Sequence, residues 1–392
     1  MQIKEVSTAA HRKAFLQLPV RLYHDDQNWI RPLDKDIEAV FDPQRNKLFE
    51  NGECTRWLLQ DAGGQTIGRV AAFINRNNAF TYDQPTGGTG FFECINSKEA
   101  AFLLFDTCKA WLQSRGMEAM DGPINFGDRY QFWGLLVDGF AEPNYGMLYH
   151  HRYYRELFED YGFRDFFQQY TYCRKVMEPL HPIIIKKAER VFANPDYVFR
   201  HIEKDKLTQY GEDLRTIYNK AWANHEGVPE MTKEQVNSLM KQFKPILDED
   251  LIWFAYHHEV PIGFFVMLPE MNQIFRYVNG KLDLPGIVKF LWHRWRKTCT
   301  KMFGLVFGFV PEFQGKGLES AIVAAAGRHI QVPGQRYQDF EMNWIGDFNP
   351  TMMKMVEIMG GKVCKTHITF RKLFDESKPF RRAAVISHKV TA

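Results

Sequence analysis

The chain has 392 residues, 45% of them hydrophobic and 25% charged, with a formal net charge of +3. That is enough for two or three domains with real cores, and too evenly balanced for the basic stripe by which proteins grip nucleic acid. No run of about 18 apolar residues and no basic-then-apolar leader is present, so the expectation is a cytoplasmic protein without integral membrane association.

In chain order, a helix is predicted around Ala9 to Leu18, followed by an ordered polar loop from Tyr23 to Pro32. Strands Thr55–Gln60 and Thr66–Ile74 flank the turn Gly63-Gly64, which is hairpin grammar. Gly87-Gly88-Thr89-Gly90 reads as a glycine-rich loop, and Asn96 or Ser97 caps a helix that ends at Gly116. A strand near Glu118–Asp121, a long loop, a helix over His151–Tyr161 and a strand Phe166–Cys173 close the first half. Residues 174–196, with Pro179, Pro182 and Pro195, read as a linker around a short basic helix. From Tyr197 the pattern restarts: strand, helix Leu207–Ala223, helix Lys233–Phe243, and a hairpin of Leu251–Tyr256 with Pro261–Leu268. A basic helical insertion follows, then a strand–turn–helix unit at 302–330, strand Asp339–Ile345, helix Thr351–Met359 and strand Val363–Lys372.

The halves match in more than order. Ile67-Gly68 answers Ile262-Gly263, and His151 to Gly162 answers Asn349 to Gly360, each over the same eleven-residue spacing. This predicts an internal duplication, with a first domain over 1–173, a linker over 174–196, a second domain over 197–374 and a surface tail over 375–392. The six cysteines are scattered with no Cys-x-x-Cys pair, so neither a zinc site nor a disulfide framework is expected.

The most informative stretch runs from Met302 to Ile330. An aromatic strand leads through Pro311-Glu312-Phe313 into Gln314-Gly315-Lys316-Gly317-Leu318 and an Ala-rich helix. Two alternate glycines bring backbone N–H groups together at the positive end of a helix dipole, which is a phosphate cradle. It is not a P-loop, because Gly315-Lys316 is followed by Gly317 where Ser or Thr would hold magnesium. It is not a dinucleotide fingerprint either, because too little chain remains for the parallel strands that such a fold requires.

The turn resembles, with a shortened spacing, the Gln/Arg-x-x-Gly-x-Gly/Ala loop of the GNAT family (GCN5-related N-acetyltransferases). The element order of residues 197–374 resembles that family well, and residues 1–173 resemble it more weakly. The resemblance implies an α+β, three-layer fold of two tandem GNAT-like domains with mixed, mostly antiparallel, splayed sheets. It implies an N-acyltransferase moving an acyl group, acetyl or longer, from acetyl-CoA or another acyl-CoA to a small-molecule or peptide amine, without a metal. Carried over by position, Phe309 and Val310 would face the acyl carbonyl and pantetheine. Backbone amides of Gly315, Lys316, Gly317 and Leu318, beside Gln314, would hold the pyrophosphate, and Asn349 would contact the pantetheine arm.

A base and an acid are also needed. Glu341, on the strand beside the expected gap, is the leading base, with Glu312 second. The family's tyrosine, seven residues after Asn349, is Val356 here, which leaves Cys364, Thr366 and Tyr337 as replacement acids and an acyl-CoA sensor as the alternative function. In the first half, Glu93 stands where the cradle would be and would repel phosphate, so one CoA site per chain is expected. Asn219, Trp222 and Glu226, at the end of the first helix of the second half, are the acceptor-pocket candidates. The insertion Ile287–Lys301 interleaves Leu291, Trp292 and Trp295 with basic residues and is expected to bury its aromatic face.

Overall fold

Each half contains an antiparallel hairpin, because two apolar, strand-length runs flank a short turn. The computed structural model describes residues 1–127, 132–222 and 230–386. The first half comprises β1 (Gln2–Glu5), α1 (Ala9–Leu22), α2 (Asp34–Val40), β2 (Gly52–Gln60), β3 (Thr66–Asn75), β4 (Thr86–Cys94), α3 (Lys98–Gln113), β5 (Ala119–Gly122), β6 (Leu135–Asp138), α4 (Tyr154–Asp160) and β7 (Arg164–Lys175). After the linker helix α5 (Pro182–Phe192) come β8 (Tyr197–His201), α6 (Leu207–Trp222), α7 (Lys233–Phe243), β9 (Ile252–His257), β10 (Val260–Pro269), α8 (Asn272–Phe275) and α9 (Leu284–Trp295). The chain ends with β11 (Lys301–Phe309), α10 (Leu318–Ile330), β12 (Asp339–Gly346), α11 (Pro350–Ile358) and β13 (Lys362–Leu373).

The repeat is visible in space. The strands form one continuous sheet in the order β1-β2-β3-β4-β5-β13-β7-β12-β11-β10-β9-β8, with β6 paired to β13. Read from either edge, each half contributes its own strands in sequence and then receives the closing strand of the other half. Strand β7, the end of the first half, pairs with β12, and β13, the end of the second, pairs with β5. The two exchanged strands run antiparallel to each other at the centre.

The exchange explains one correction. Cys173 and Cys364, 191 residues apart in sequence, lie on β7 and β13 and are joined by a disulfide, with Cα atoms 5.8 Å apart. Sequence spacing carries no sign of it, because only the crossing of the closing strands brings the two cysteines together.

A second correction concerns Gly87-Gly88-Thr89-Gly90, which is the buried interior of β4 and not a loop. Glycine is required there by close approach. A Cβ at Gly88 would collide with the Phe73 ring, and one at Gly90 with the Ile124 carbonyl. Because the obstacle at Gly90 is backbone, Gly90→Ala is expected to cost at least about 2 kcal/mol, read as a lower midpoint in urea unfolding.

Candidate functional site

Strands β11 and β12 run parallel and in register only from Lys301 opposite Asp339 to Gly304 opposite Met342. Beyond that pair they separate. On the other side of β11, Val266 pairs with Val306 and Met267 with Gly304, so Leu305 is an extra residue, a bulge at the point of separation. A gap flanked by unpaired strand backbone therefore opens along Leu305 to Phe309. Phe309 and Val310 are buried at its end, with the Phe309 ring packed over Gly263.

The turn at the mouth of this gap is built by two left-handed glycines, Gly315 at φ 73° and Gly317 at φ 84°. Gly317 is the N-cap of α10 and supplies no side-chain acceptor, so the helix's first N–H groups lack the usual cap. The Gln314 side chain donates to the Phe309 carbonyl at 2.9 Å, tying the turn to the strand end. One amide is engaged: Glu319 Oε1 accepts from the Gly315 N–H at 3.1 Å. With Gly317 fixed as the N-cap, Gln314 and Gly317 take the first and fourth positions of the Gln/Arg-x-x-Gly-x-Gly/Ala pattern. The spacing is thus not shortened, and Glu319 stands where the pattern has a small residue. The exposed Lys316 lies over the Phe313 ring at 4.9 Å, and Lys187 of the linker helix packs beside Gly317.

Asn349 caps α11, its side chain accepting from the Met352 N–H at 3.2 Å. Val356 is fully buried against Gly361. Of the replacement acids, Cys364 is in the disulfide and Tyr337 donates to Asp248 at 2.6 Å. Sequence reading missed Tyr172 of β7. Paired with Met342 and packed in the same core as Val356, it is buried with its hydroxyl unpartnered among the described residues. Burial pushes that hydroxyl up to about 12.

Glu341 sits one residue before the last β11–β12 pair, on the opposite face from Phe340 and Met342. Its two oxygens meet Lys301 at 2.7 Å and Lys365 at 2.6 Å. Burial pushes the carboxyl up, but the charges and hydrogen bonds of the two lysines outweigh it and hold Glu341 below the ordinary value. Each carboxylate oxygen keeps a further lone pair. Glu312 is exposed at the turn. Asn219 is engaged at both ends of its amide with the backbone of Met231, at 2.8 and 3.1 Å, and so pins the start of α7. The Trp222 side chain and Glu226 lie outside the described residues.

In the first half, β4 and β5 also separate, after Gly88 opposite Asp121. Here Ser97 caps α3, accepting from the Ala100 N–H. Glu93 faces inward, receiving the Tyr23 and Tyr154 hydroxyls, both at 2.8 Å, with Arg69 at 3.6 Å. The expected repulsion of phosphate by Glu93 therefore has no geometry behind it, since the carboxyl is consumed in a core network. Next to this splay is a small cleft of ≈ 90 Å³, partly open to solvent. Its aromatic wall is Phe73, Tyr82, Trp133, Phe167 and Trp344. Trp344 reaches it from β12, where Asn343 and Trp344 together oppose the single Thr171 in a bulge.

No known family profile matches the chain. It is 28% identical over 382 residues to the bacterial ceramide synthase of Caulobacter vibrioides, which covers 95% of this chain and 97% of that protein. It is 26% identical over 370 residues to the protein YghO of Escherichia coli, covering 92% of each. Among solved structures it is similar to the GCN5-related glucosamine N-acetyltransferase region of a fungal multi-domain β-N-acetylglucosaminidase (TM-score 0.55, 12% identity), over 95% of this chain and 38% of that one. It is also similar to a tandem GNAT protein from the clavulanic acid biosynthesis pathway (TM-score 0.53, 10% identity), over 96% of this chain and all of that one. The fold is thus the tandem GNAT fold, α+β, as the resemblance implied.

Beneath the β11 end, buried Glu270 accepts from the Tyr145 and Asn272 amides at 2.9 and 2.8 Å, and burial pushes it up to about 7. A carboxyl raised on folding holds its proton more tightly in the folded state. Its stabilisation is therefore present below the unfolded value and lost as pH rises through about 7. Between pH about 5 and 8, the parent is expected to lose roughly 3 kcal/mol more than Glu270→Gln in urea unfolding.

Proposed function

We propose that this chain is an acyl-CoA-dependent N-acyltransferase whose second repeat holds CoA and whose acceptor is a long-chain primary amine. The observation that carries the reading is the separation of β11 from β12 directly before a Gly-x-Gly helix start without a side-chain cap, which sets a gap between strands next to a candidate anion cradle. The amides of Gly315, Lys316, Gly317 and Leu318 would take the pyrophosphate, Lys316 would add charge, and the pantetheine would run past Phe309 and Val310 toward Asn349.

The reaction joins the amine nitrogen to the thioester carbonyl carbon and breaks the C–S bond. Backbone N–H groups at the Leu305 bulge would stabilise the oxyanion. The amine proton passes to a base, for which Glu341 is proposed ahead of Glu312. It is ionised at all ordinary pH values, and its two lysines fix its position. The thiolate is proposed to take its proton from Tyr172, which lies on the α11 side where Val356 supplies no hydroxyl. The full-length similarity to a ceramide synthase supports a long-chain amine, because ceramide is the amide of a long-chain amino alcohol. The aromatic wall of the cleft offers an apolar surface to such a chain.

Four expectations test this. CoA should raise the melting temperature of the parent and not of Gly317→Glu, and no shift with CoA or any acyl-CoA would remove the reading. Glu319→Ala should tighten CoA about tenfold in calorimetry, because it frees the Gly315 amide and removes a charge facing the phosphates. With a long-chain acyl-CoA and a sphingoid-type amine, Tyr172→Phe should lower kcat about 100-fold with melting unchanged. Glu341→Gln should lower both kcat and stability, the latter by about 3 kcal/mol, because buried Lys365 and partly buried Lys301 lose their counter-charge. If CoA binds but no amine releases thiol, the sensor alternative replaces the enzyme.

A further inference from the structure

We propose that α9 is a peripheral docking helix whose partner is an anionic lipid bilayer surface. The expected burial of its aromatic face is reversed. Leu284, Ile287, Val288, Leu291, Trp292 and Trp295 recur at helical spacing and point outward, with Leu284 81%, Trp295 74% and Trp292 52% exposed. This is not a loosely placed helix. Its other side is fixed by buried Gly286, by Phe290 packed on Phe275 at 6.0 Å, and by His293 stacked on Tyr277 at 3.9 Å. Pro285 and the Asp283 cap, which accepts from the Gly286 N–H, set its start.

Charge identifies the partner. From Leu284 to Thr300 there is no Asp or Glu, while Lys289, Arg294, Arg296 and Lys297 are present. On a helical projection Arg294 flanks one edge of the apolar stripe, and Lys289 and Arg296 flank the other. An apolar stripe with tryptophans and a basic rim is what lies flat in a bilayer interface, with indole at the headgroup level and cations on anionic lipid. Twelve residues are too few to cross a bilayer. Pairing with a second copy would set two basic rims against each other. The inference stands on this surface and does not depend on the acyl-transfer reading.

The test is co-sedimentation of the full chain with vesicles of phosphatidylcholine alone or with about one-third phosphatidylglycerol. Binding to the anionic vesicles is expected to be at least tenfold tighter than to the neutral ones and to weaken as salt is raised. Trp292→Ser with Trp295→Ser should weaken it at least tenfold, and Lys289→Glu with Arg296→Glu should remove the preference for anionic lipid. Both double variants should keep the parent's melting temperature and its shift with CoA, which separates loss of docking from loss of the CoA site. No binding to anionic vesicles, or unchanged binding in the tryptophan variant, overturns the proposal. So does a dimer in analytical ultracentrifugation that the tryptophan variant abolishes.

Discussion

The antiparallel pairing of β7 with β13 is the contact on which the rest of the molecule depends. Neither repeat completes its sheet from its own chain segment, because each closing strand is built into the other half. Strand β13 carries two buried cations outward from the centre. Arg371 makes a two-pronged contact with Asp121 of β5 at 2.6 and 2.8 Å, and Lys365 reaches Glu341 of β12 at 2.6 Å. Withdrawing β13 would take the Arg371 guanidinium from buried Asp121 and leave buried Glu341 with Lys301 alone, which is far costlier than losing surface pairs. The Cys173–Cys364 bond closes the same seam covalently.

That arrangement gives the first repeat a task even without a cradle. Strand β12 is one wall of the gap, and on the side away from β11 it is held by β7. The first half thus sets the position of β12, and through the bulge opposite Thr171 it shares Trp344 with its own cleft. The two repeats are mechanically one body across a single sheet, so the width of the gap is a property of the whole chain.

What could be read from the sequence was what local chemistry decides. Helix α7 has the expected bounds, and the structure shows the local reason, a reciprocal cap between Thr232 and Gln235; the hairpins were legible because short turns interrupt apolar runs of strand length. What could not be read was set by contacts distant in the chain. The glycines of β4 looked like a loop because their reason, the Phe73 ring and the Ile124 carbonyl, lies in other elements. Strands β7 and β13 were recognised as strands, but nothing in their residues says which neighbour they choose. The α9 stripe was legible as amphipathic, yet periodicity alone cannot say which face meets the protein, and Phe290 and His293 decided it.

The clearest distinction between the two repeats is how each satisfies the first turn of the helix after its splay. In the first, Ser97 fills the N-cap and Glu93 turns into a network of Tyr23, Tyr154 and Arg69, so the anion-seeking end of α3 is answered within the protein. In the second, Gly317 fills the N-cap with no side chain, and the left-handed backbone it permits brings the amides together. The nearest acceptor is Glu319, whose carboxylate already takes the Gly315 N–H. That contact is what an anion-favouring turn makes with the acceptor at hand, and under the proposed function a pyrophosphate would satisfy more of its donors than one side-chain oxygen can. The same duplicated fold thus reaches opposite outcomes through a serine in one copy and a glycine in the other.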